Sequence, residues 1–234
     1  MKLGILKTGG PPRALAEHGS YPEMFRKLLG EERYDYAVFD AEQGELPAEP
    51  SACGAYLITG SACDAYAALP WIVELKRFLV AAKGKAALVG ICFGHQVMAE
   101  AFGGRVIMSP SGWGLGNHRY EVVQPQPWMD GATTVTLPAS HQDQVVELPE
   151  GAEVVAGSAF SPLGMIVYTD QPALSLQLHP EFGPEFATPL AEMRRGRGPS
   201  DEEIDRALAS LKQPNDRARV AGWINRFLTD ACGH

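Results

Sequence analysis

One short segment of the chain combines a cysteine with the backbone that a nucleophile needs. An apolar run is interrupted by the segment Gly90-Ile91-Cys92-Phe93-Gly94, and a helix-like segment follows. A sharp turn from strand to helix holds a side chain in an exposed, strained position, and the flanking glycines leave room for the tight backbone. Unpaired N–H groups and the dipole at a helix N-terminus also favour the reactive thiolate. Cys92 is therefore the candidate nucleophile.

A cysteine nucleophile needs a base, and the base needs a partner that orients it. Six histidines are available. His95 is expected to point into the structure, and the segments around three others offer no catalytic context: His18 and His234, in loop or terminal segments, and His118, in a glycine-rich loop. His141 and His179 remain, and His141 is interpreted as structural.

His179 has the better context because it ends an apolar strand and precedes Pro180-Glu181. The proline disfavours the α conformation at His179, so the tripeptide should stay extended. Extended geometry places residues i and i+2 on the same side, which lets the Glu181 carboxylate bind one imidazole nitrogen while the other faces Cys92. A lone cysteine or a lone His-Pro-Glu is more often structural. Their joint occurrence in one chain favours catalysis.

The elements around these residues predict an α/β fold with a mostly parallel open sheet and helices on both faces. Apolar runs alternate with helical patterns, of which Trp71–Ala82 is the clearest. The expected strands of this part are Leu3–Leu6, Tyr36–Phe39, Ala55–Thr59, Ala86–Ile91, Arg105–Met108 and Ala173–Leu178. Ligands bind outside the carboxyl ends of parallel strands, where Gly60, Cys92 and His179 should converge.

Two further regions complete the predicted organisation. Short strands between residues 119 and 168, separated by turns, predict an antiparallel meander attached to the sheet. The last part is helical, and Ser200 with Glu203 predicts a capping box. We expect one domain over residues 1–234, with a core of about 1–182 and a helical segment of about 184–232.

Composition limits the classes of function. A formal net charge of -8 argues against a nucleic-acid partner. No apolar run is long enough to cross a membrane, and Lys7 interrupts the N-terminal run before a signal-peptide core can form. The four cysteines lack the spacing of a zinc site or a disulfide framework, so a cytoplasmic protein without metal is expected. The basic cluster Arg194, Arg195 and Arg197 is interpreted as solvated surface.

The segments Gly90–Gln96 and Leu178–Phe182 together resemble the class I (triad) glutamine amidotransferase family. The resemblance implies a flavodoxin-like fold and no cofactor. It implies attack of the Cys92 thiolate on a side-chain γ-carboxamide, with His179 as base and Glu181 as its orienting acid. By the same resemblance, the N–H groups of Gly60 and Phe93 would form the oxyanion hole. Substrate would be bound by Gln96, Ser140, Gln142 and Asp143.

Several functions remain open within this resemblance. The loop Gly60–Ala65 replaces the Gly-Gly-Pro type of biosynthetic members and is more similar to the branch of γ-glutamyl peptidases and GMP synthase glutaminases. The chain is predicted to hydrolyse glutamine or a γ-glutamyl compound by itself. The alternatives are an ammonia-supplying glutaminase that serves a separate synthetase, and a catalytically silent binding module. A PfpI-like protein also carries a cysteine on such a turn, but does not require His-Pro-Glu. No glycine-rich segment here predicts nucleotide binding.

Overall fold

A computed structural model describes residues 1–233, and His234 lies outside the described residues. The chain forms a nine-stranded sheet and a separate two-stranded sheet. The strands, numbered in chain order, are β1 (Lys2–Lys7), β2 (Asp35–Asp40), β3 (Ala55–Ile58), β4 (Ala87–Ile91), β5 (Arg105–Met108), β6 (Gly114–Val122), β7 (Thr134–His141), β8 (Asp143–Glu147), β9 (Ala152–Gly157), β10 (Met165–Tyr168) and β11 (Ala173–Leu176). The α-helices are α1 (Tyr21–Leu29), α2 (Pro70–Ala82), α3 (Phe93–Ala101), α4 (Pro184–Glu192), α5 (Asp201–Leu211) and α6 (Arg217–Cys232), with short 3-10 helices at Arg13–His18 and Ala41–Gln43.

The large sheet has a parallel half and an antiparallel half. Its strand order is β2-β1-β3-β4-β11-β10-β9-β6-β7, and neighbours are parallel from β2 to β11. β3 and β4 are buried along their whole length, because apolar residues on both faces pack against helix layers. From β11 to β7 the neighbours are antiparallel. The predicted α/β fold class is confirmed.

The antiparallel section differs from a single meander. β8 leaves it and pairs with β5 in the two-stranded sheet. Alternating apolar residues predict that a segment is a strand, but they do not specify the partner. His118, expected in a loop, lies instead within β6, which begins at Gly114.

The last helix, α6, packs against the sheet and contributes to its core. α6 buries Val220, Trp223 and Phe227 in the same apolar cluster as strand residues of the sheet. The predicted capping box at the start of α5 is confirmed, since Ser200 and Glu203 bond each other's backbone N–H groups. Asp216 occupies the N-cap of α6, but its carboxylate accepts from the Thr136 N–H at 2.8 Å. Within residues 1–233, no helix is long and apolar enough to cross a membrane.

Candidate active site

Three adjacent parallel strands bring the main candidate residues to one edge of the sheet. Gly60 follows β3, Cys92 follows β4, and His179 follows β11. β4 lies between the other two, and all three run in the same direction. A Cβ atom at Gly60 would lie 3.2 Å from the His179 ring and 3.9 Å from the Cys92 Cβ. Gly60 is therefore in direct proximity to both side chains.

The backbone at Cys92 is strained in the way the turn from strand to helix requires. Cys92 has φ 53° and ψ -104°, and within residues 1–233 it alone among non-glycine residues has positive φ. Such a conformation costs about 1–3 kcal/mol and persists only where the surroundings enforce it. The Gly94 N–H donates to Thr59 O at 3.1 Å, and a Cβ at Gly94 would overlap the Ile58 carbonyl. Helix α3 therefore sits directly on the end of β3.

His179 and Glu181 form a buried pair. The His179 Nδ1 donates to Glu181 Oε1 at 2.7 Å, and both residues are almost fully buried. Burial alone would lower the pKa of His179, but the charges of Cys92 and Glu181 and hydrogen bonds with both raise it to about 10. The imidazole is therefore cationic at neutral pH, between two acidic groups. This arrangement suits a cysteine nucleophile whose base is held by a carboxylate.

The surroundings of His179 fix the orientation of its ring. Phe182 stacks on the imidazole with ring centroids 4.0 Å apart and an interplanar angle of 6°. From α6, the Arg217 guanidinium donates to the carbonyls of Pro180 and Glu181 at 2.7 and 3.1 Å. The stacking of Phe182 thus fixes the His179 ring, and the hydrogen bonds from Arg217 fix the backbone of the His-Pro-Glu segment.

Two hydrogen-bonded side-chain amides lie near the nucleophile: Gln177, which follows β11, and Gln96, in α3. Gln177 Nε2 lies 3.6 Å from Cys92 Sγ, and its Oε1 accepts from Gln96 Nε2 at 3.1 Å. Gln96 Nε2 also donates to Asp143 O at 2.9 Å. Both N–H donors of Gln96 are therefore used within the protein, and its Oε1 is the atom left for a ligand. Sequence reasoning missed Gln177, which lies in the bend between the end of β11 and His179; its position two residues before His179 was the one available signal.

The two predicted oxyanion donors are N–H groups without a partner in the described part of the chain. Phe93 is the first residue of α3, so the intrahelical pattern leaves its N–H without an acceptor. The Gly60 N–H bonds no protein atom in residues 1–233, whereas its carbonyl accepts from the Thr8 hydroxyl at 3.1 Å. Unpaired donors are what an oxyanion hole requires, and the assignment stays a prediction.

The predicted substrate residues line one cavity with the nucleophile. This cavity of about 410 Å³ is lined by Cys92, Gln96, Ser140, Gln142 and Asp143, among others. Burial and the neighbouring Asp64 raise the pKa of Asp143 to about 6. Two carboxylates so close together favour a cationic group between them.

His141 and His95 are both buried outside the pair formed by His179 and Glu181. Their Nδ1 atoms contact Asp143 O at 3.1 Å and the Ser175 hydroxyl at 2.8 Å, respectively. Burial lowers the pKa of each to about 3, so both rings are neutral. His95 therefore points into the structure as expected, and His141 has the bonding of a structural residue.

The interpretation of the basic cluster as solvated surface is wrong for one of its three members. Arg195 pairs with Glu192, Asp201 and Asp205 on the exterior. Arg194 is instead half-buried, lies 3.9 Å from the Trp113 ring centroid, and lines the cavity beside Cys92. The acidic run beside the cluster suggested a solvated surface, but the turn that follows α4 directs Arg194 inward.

Removing the Glu181 charge is expected to change the pH dependence of catalysis. The raised pKa of His179 predicts wild-type activity that falls as the pH rises through about 10, where the imidazole loses its proton. In Glu181→Gln the carboxylate no longer stabilises the imidazolium, so the pKa falls and the alkaline limb moves to lower pH by about one to two units. Profiles of kcat against pH for both proteins measure the shift. An unmoved alkaline limb would contradict the assigned coupling.

A cysteine on a strand–helix turn with a buried His–Glu pair at the next strand end defines an α/β protein with a cysteine-based candidate active site. The family model for class-I glutamine amidotransferases matches residues 16–190. The chain belongs to the class-I glutamine amidotransferase family.

Individual relatives point to more than one activity within that family. A glutamine amidotransferase-like protein of Schizosaccharomyces pombe is 30% identical over 97% of this chain and 98% of its own length. Gamma-glutamyl peptidase 2 of Arabidopsis thaliana is 28% identical over 90% and 88% of the two chains. The glutamine-hydrolyzing GMP synthase subunit of Methanopyrus kandleri is 27% identical over 75% and 94%. A solved glutamine amidotransferase of Thermotoga maritima shares the fold, with a TM-score of 0.75 and 18% identity over 100% of this chain and 98% of its own.

Proposed function

We propose that this protein is a stand-alone hydrolase that cleaves the γ-amide bond of γ-glutamyl compounds through a Cys92 thioester. The observation that carries the proposal is the placement of Cys92 beside a cationic, buried His179 that Glu181 orients at 2.7 Å. The similarity to a gamma-glutamyl peptidase along 90% of the chain supports hydrolysis as the use of this site. Family membership supports a side-chain γ-amide as the bond attacked.

The first half of the reaction forms the thioester. The Cys92 thiolate attacks the γ-carbonyl carbon, a C–S bond forms, and the carbonyl electron pair moves to oxygen. The N–H groups of Gly60 and Phe93 stabilise this oxyanion, for which each such donor contributes about 3–4 kcal/mol in enzymes of this kind. When the oxyanion collapses, the C–N bond breaks, and the departing nitrogen takes the proton of the His179 imidazolium. Free amine or ammonia leaves.

The second half regenerates the enzyme. The now neutral His179 accepts a proton from water, and the resulting hydroxide attacks the thioester carbon. Collapse breaks the C–S bond, which releases the γ-carboxylic acid and restores the thiolate and the imidazolium. The acid then loses its proton to the released amine or to solvent. Glu181 keeps its charge throughout and holds the ring through Nδ1, which leaves Nε2 to move both protons.

The cavity of about 410 Å³ is the proposed site of the glutamyl end of the substrate. Asp143, beside Asp64, provides negative charge for the α-ammonium group, while Ser140 and Gln142 offer polar groups for the α-carboxylate. The remaining Oε1 of Gln96 faces the same space. A substrate held in this way presents its γ-carbonyl to Cys92.

A second use of the same chemistry is delivery of ammonia to a synthetase partner. The similarity to the glutamine-hydrolyzing GMP synthase subunit of Methanopyrus kandleri favours this use as the alternative. This alternative predicts that the chain alone hydrolyses glutamine slowly and that the rate rises when the partner binds. A silent binding module would turn over neither kind of substrate.

Turnover without a partner separates these uses. We expect the purified protein to release glutamate from γ-glutamyl dipeptides with a kcat/KM at least about tenfold above that for glutamine. The physical reason is that a dipeptide fills space beyond the γ-nitrogen that ammonia leaves empty. The measurement is glutamate release from equal concentrations of glutamine and γ-glutamyl dipeptides. Weak turnover of glutamine alone would favour the synthetase alternative, and no turnover of either would overturn the hydrolase proposal.

A further inference from the structure

A second, smaller cavity lies on the His179 side of the nucleophile. It measures about 170 Å³, and its lining includes Cys92, His179, Tyr21, Phe182 and Arg194. Because His179 gives its proton to the departing nitrogen, the group attached to that nitrogen must lie on this side. It is less than half as large as the neighbouring cavity of about 410 Å³, which favours a small group on the departing nitrogen.

Arg194 carries a positive charge into this cavity and is held there. It lines both the smaller cavity and the one of about 410 Å³, so it stands at the boundary between the two halves of the site. Its guanidinium stacks on the Trp113 ring, with 3.9 Å from Cζ to the ring centroid. Cation–π contact of this kind fixes the plane of the guanidinium and leaves its N–H edge free to bind.

The charge of Arg194 has no partner among residues 1–233. Its guanidinium forms no ion pair and no hydrogen bond there, whereas the adjacent Arg195 binds three carboxylates. Burial and the nearby positive charge of Arg197 lower the pKa of Arg194, which means that its surroundings disfavour the cation. A half-buried guanidinium with unpaired donors costs free energy that an anionic ligand would offset. A carboxylate fits its paired N–H groups in a bidentate manner.

We propose that Arg194 binds the free carboxylate of the departing amino acid, so that the preferred substrates are γ-glutamyl derivatives of small amino acids. This inference rests on the proposed function, because the proposed mechanism places the departing group on the His179 side of Cys92. It specifies the leaving group through charge and size: an α-amino acid small enough for the smaller cavity, with its carboxylate against Arg194. Glutamine, whose leaving group is ammonia, makes no use of this contact.

The test measures binding in the Cys92→Ala background, which removes turnover. The two ligands are γ-glutamylglycine and γ-glutamylglycine amide, which differ only in the carboxylate that Arg194 would contact. We expect calorimetry to give about a ten- to hundredfold tighter Kd for the acid. Adding Arg194→Ala should bring the ratio of the two Kd values close to one, and Arg194→Lys should restore part of it. Equal affinities in the Cys92→Ala protein would overturn the inference.

The matched control is Arg197→Ala in the same background. Arg197 is exposed and has the same formal charge, so its loss lowers the local potential without touching the cavity. The ratio of Kd values should remain as in Cys92→Ala alone. If the ratio of Kd values fell equally in Arg197→Ala and Arg194→Ala, the general positive potential of the region would explain the preference for the acid. That result would contradict a direct contact between Arg194 and the carboxylate. Thermal unfolding of each variant establishes that it is folded.

Turnover by the wild-type protein separates this inference from the proposed function. If the acid and the amide are hydrolysed with the same kcat/KM, the role of Arg194 is wrong while the hydrolase proposal stands. If neither is hydrolysed but the Cys92→Ala protein discriminates through Arg194, the anion site stands and the hydrolase proposal fails.

Discussion

Replacement of Cys92 by serine is expected to lower kcat for γ-glutamyl hydrolysis by at least about 10⁴-fold. A serine hydroxyl is a far weaker acid than a thiol, so it does not supply the anionic nucleophile that a cysteine can provide beside His179. At about 1.4 kcal/mol per tenfold, this corresponds to roughly 5–6 kcal/mol of lost transition-state stabilisation. The measurement is glutamate release under saturating substrate. The exchange is nearly isosteric, so the fold should be retained.

The matched control is Cys63→Ser. Cys63 lines the same cavity of about 410 Å³ as Cys92, but it lies in the loop after β3 and does not line the smaller cavity that holds His179. Its replacement should leave kcat within about twofold. In wild-type protein, rapid quenching with substrate should trap a γ-glutamyl adduct, and peptide mass analysis should locate it on Cys92. Substantial turnover by Cys92→Ser, or an adduct on Cys63, would contradict the proposed nucleophile.

Replacement of His179 by alanine is expected to lower kcat by about 10³-fold, within the range for loss of a general acid–base group. The change removes the proton donor for the departing nitrogen and the cation beside the thiolate. It also leaves a space the size of the ring, bounded by Phe182 on one face and by Glu181 at 2.7 Å from the missing Nδ1. Added imidazole should occupy that space and restore part of the rate, as measured by glutamate release against imidazole concentration.

Two comparisons establish that such a rescue comes from the His179 position. Imidazole should not restore activity to Cys92→Ser, because a base does not replace the missing thiolate. His18→Gln, which removes a ring that packs edge-on against Phe186, should keep the wild-type rate. A rate near that of the wild type in His179→Ala would remove this residue from the mechanism.

The sequence was informative about the site because the same residues that could do chemistry also stood at strand ends. The apolar runs before Gly60, Cys92 and His179 predict buried parallel strands, and parallel strands bring their carboxyl ends to one edge. The predicted contact between Glu181 and the His179 Nδ1 is present at 2.7 Å, but Pro180 and Glu181 form a turn instead of the predicted extended segment. Local patterns therefore bring the ends of neighbouring strands together without any knowledge of tertiary contacts, but they do not fix the backbone that follows.

Other features depend on tertiary contacts that local patterns do not encode. β5 and β8 have ordinary strand sequences, and only their mutual pairing separates them from the large sheet. Arg194 and Arg195 are neighbours in the turn after α4, and the direction of each side chain decides whether a guanidinium meets Trp113 or carboxylates. Trp113 lies far earlier in the chain, so the stacking that marks Arg194 as a ligand-binding group has no local signal.

The position of β11 in the sheet determines when, during synthesis of the chain, His179 can come to lie beside Cys92. β11 pairs with β4 on one side and with β10 on the other, so it joins the parallel and antiparallel halves. Within residues 1–233 it is also the last strand to be synthesised, and it leads directly towards His179. During vectorial synthesis, the nucleophile after β4 therefore emerges from the ribosome long before its base. A nascent chain would carry Cys92 without its base, and the proposed acyl transfer would begin only after β11 has paired with β4 and has brought His179 beside Cys92.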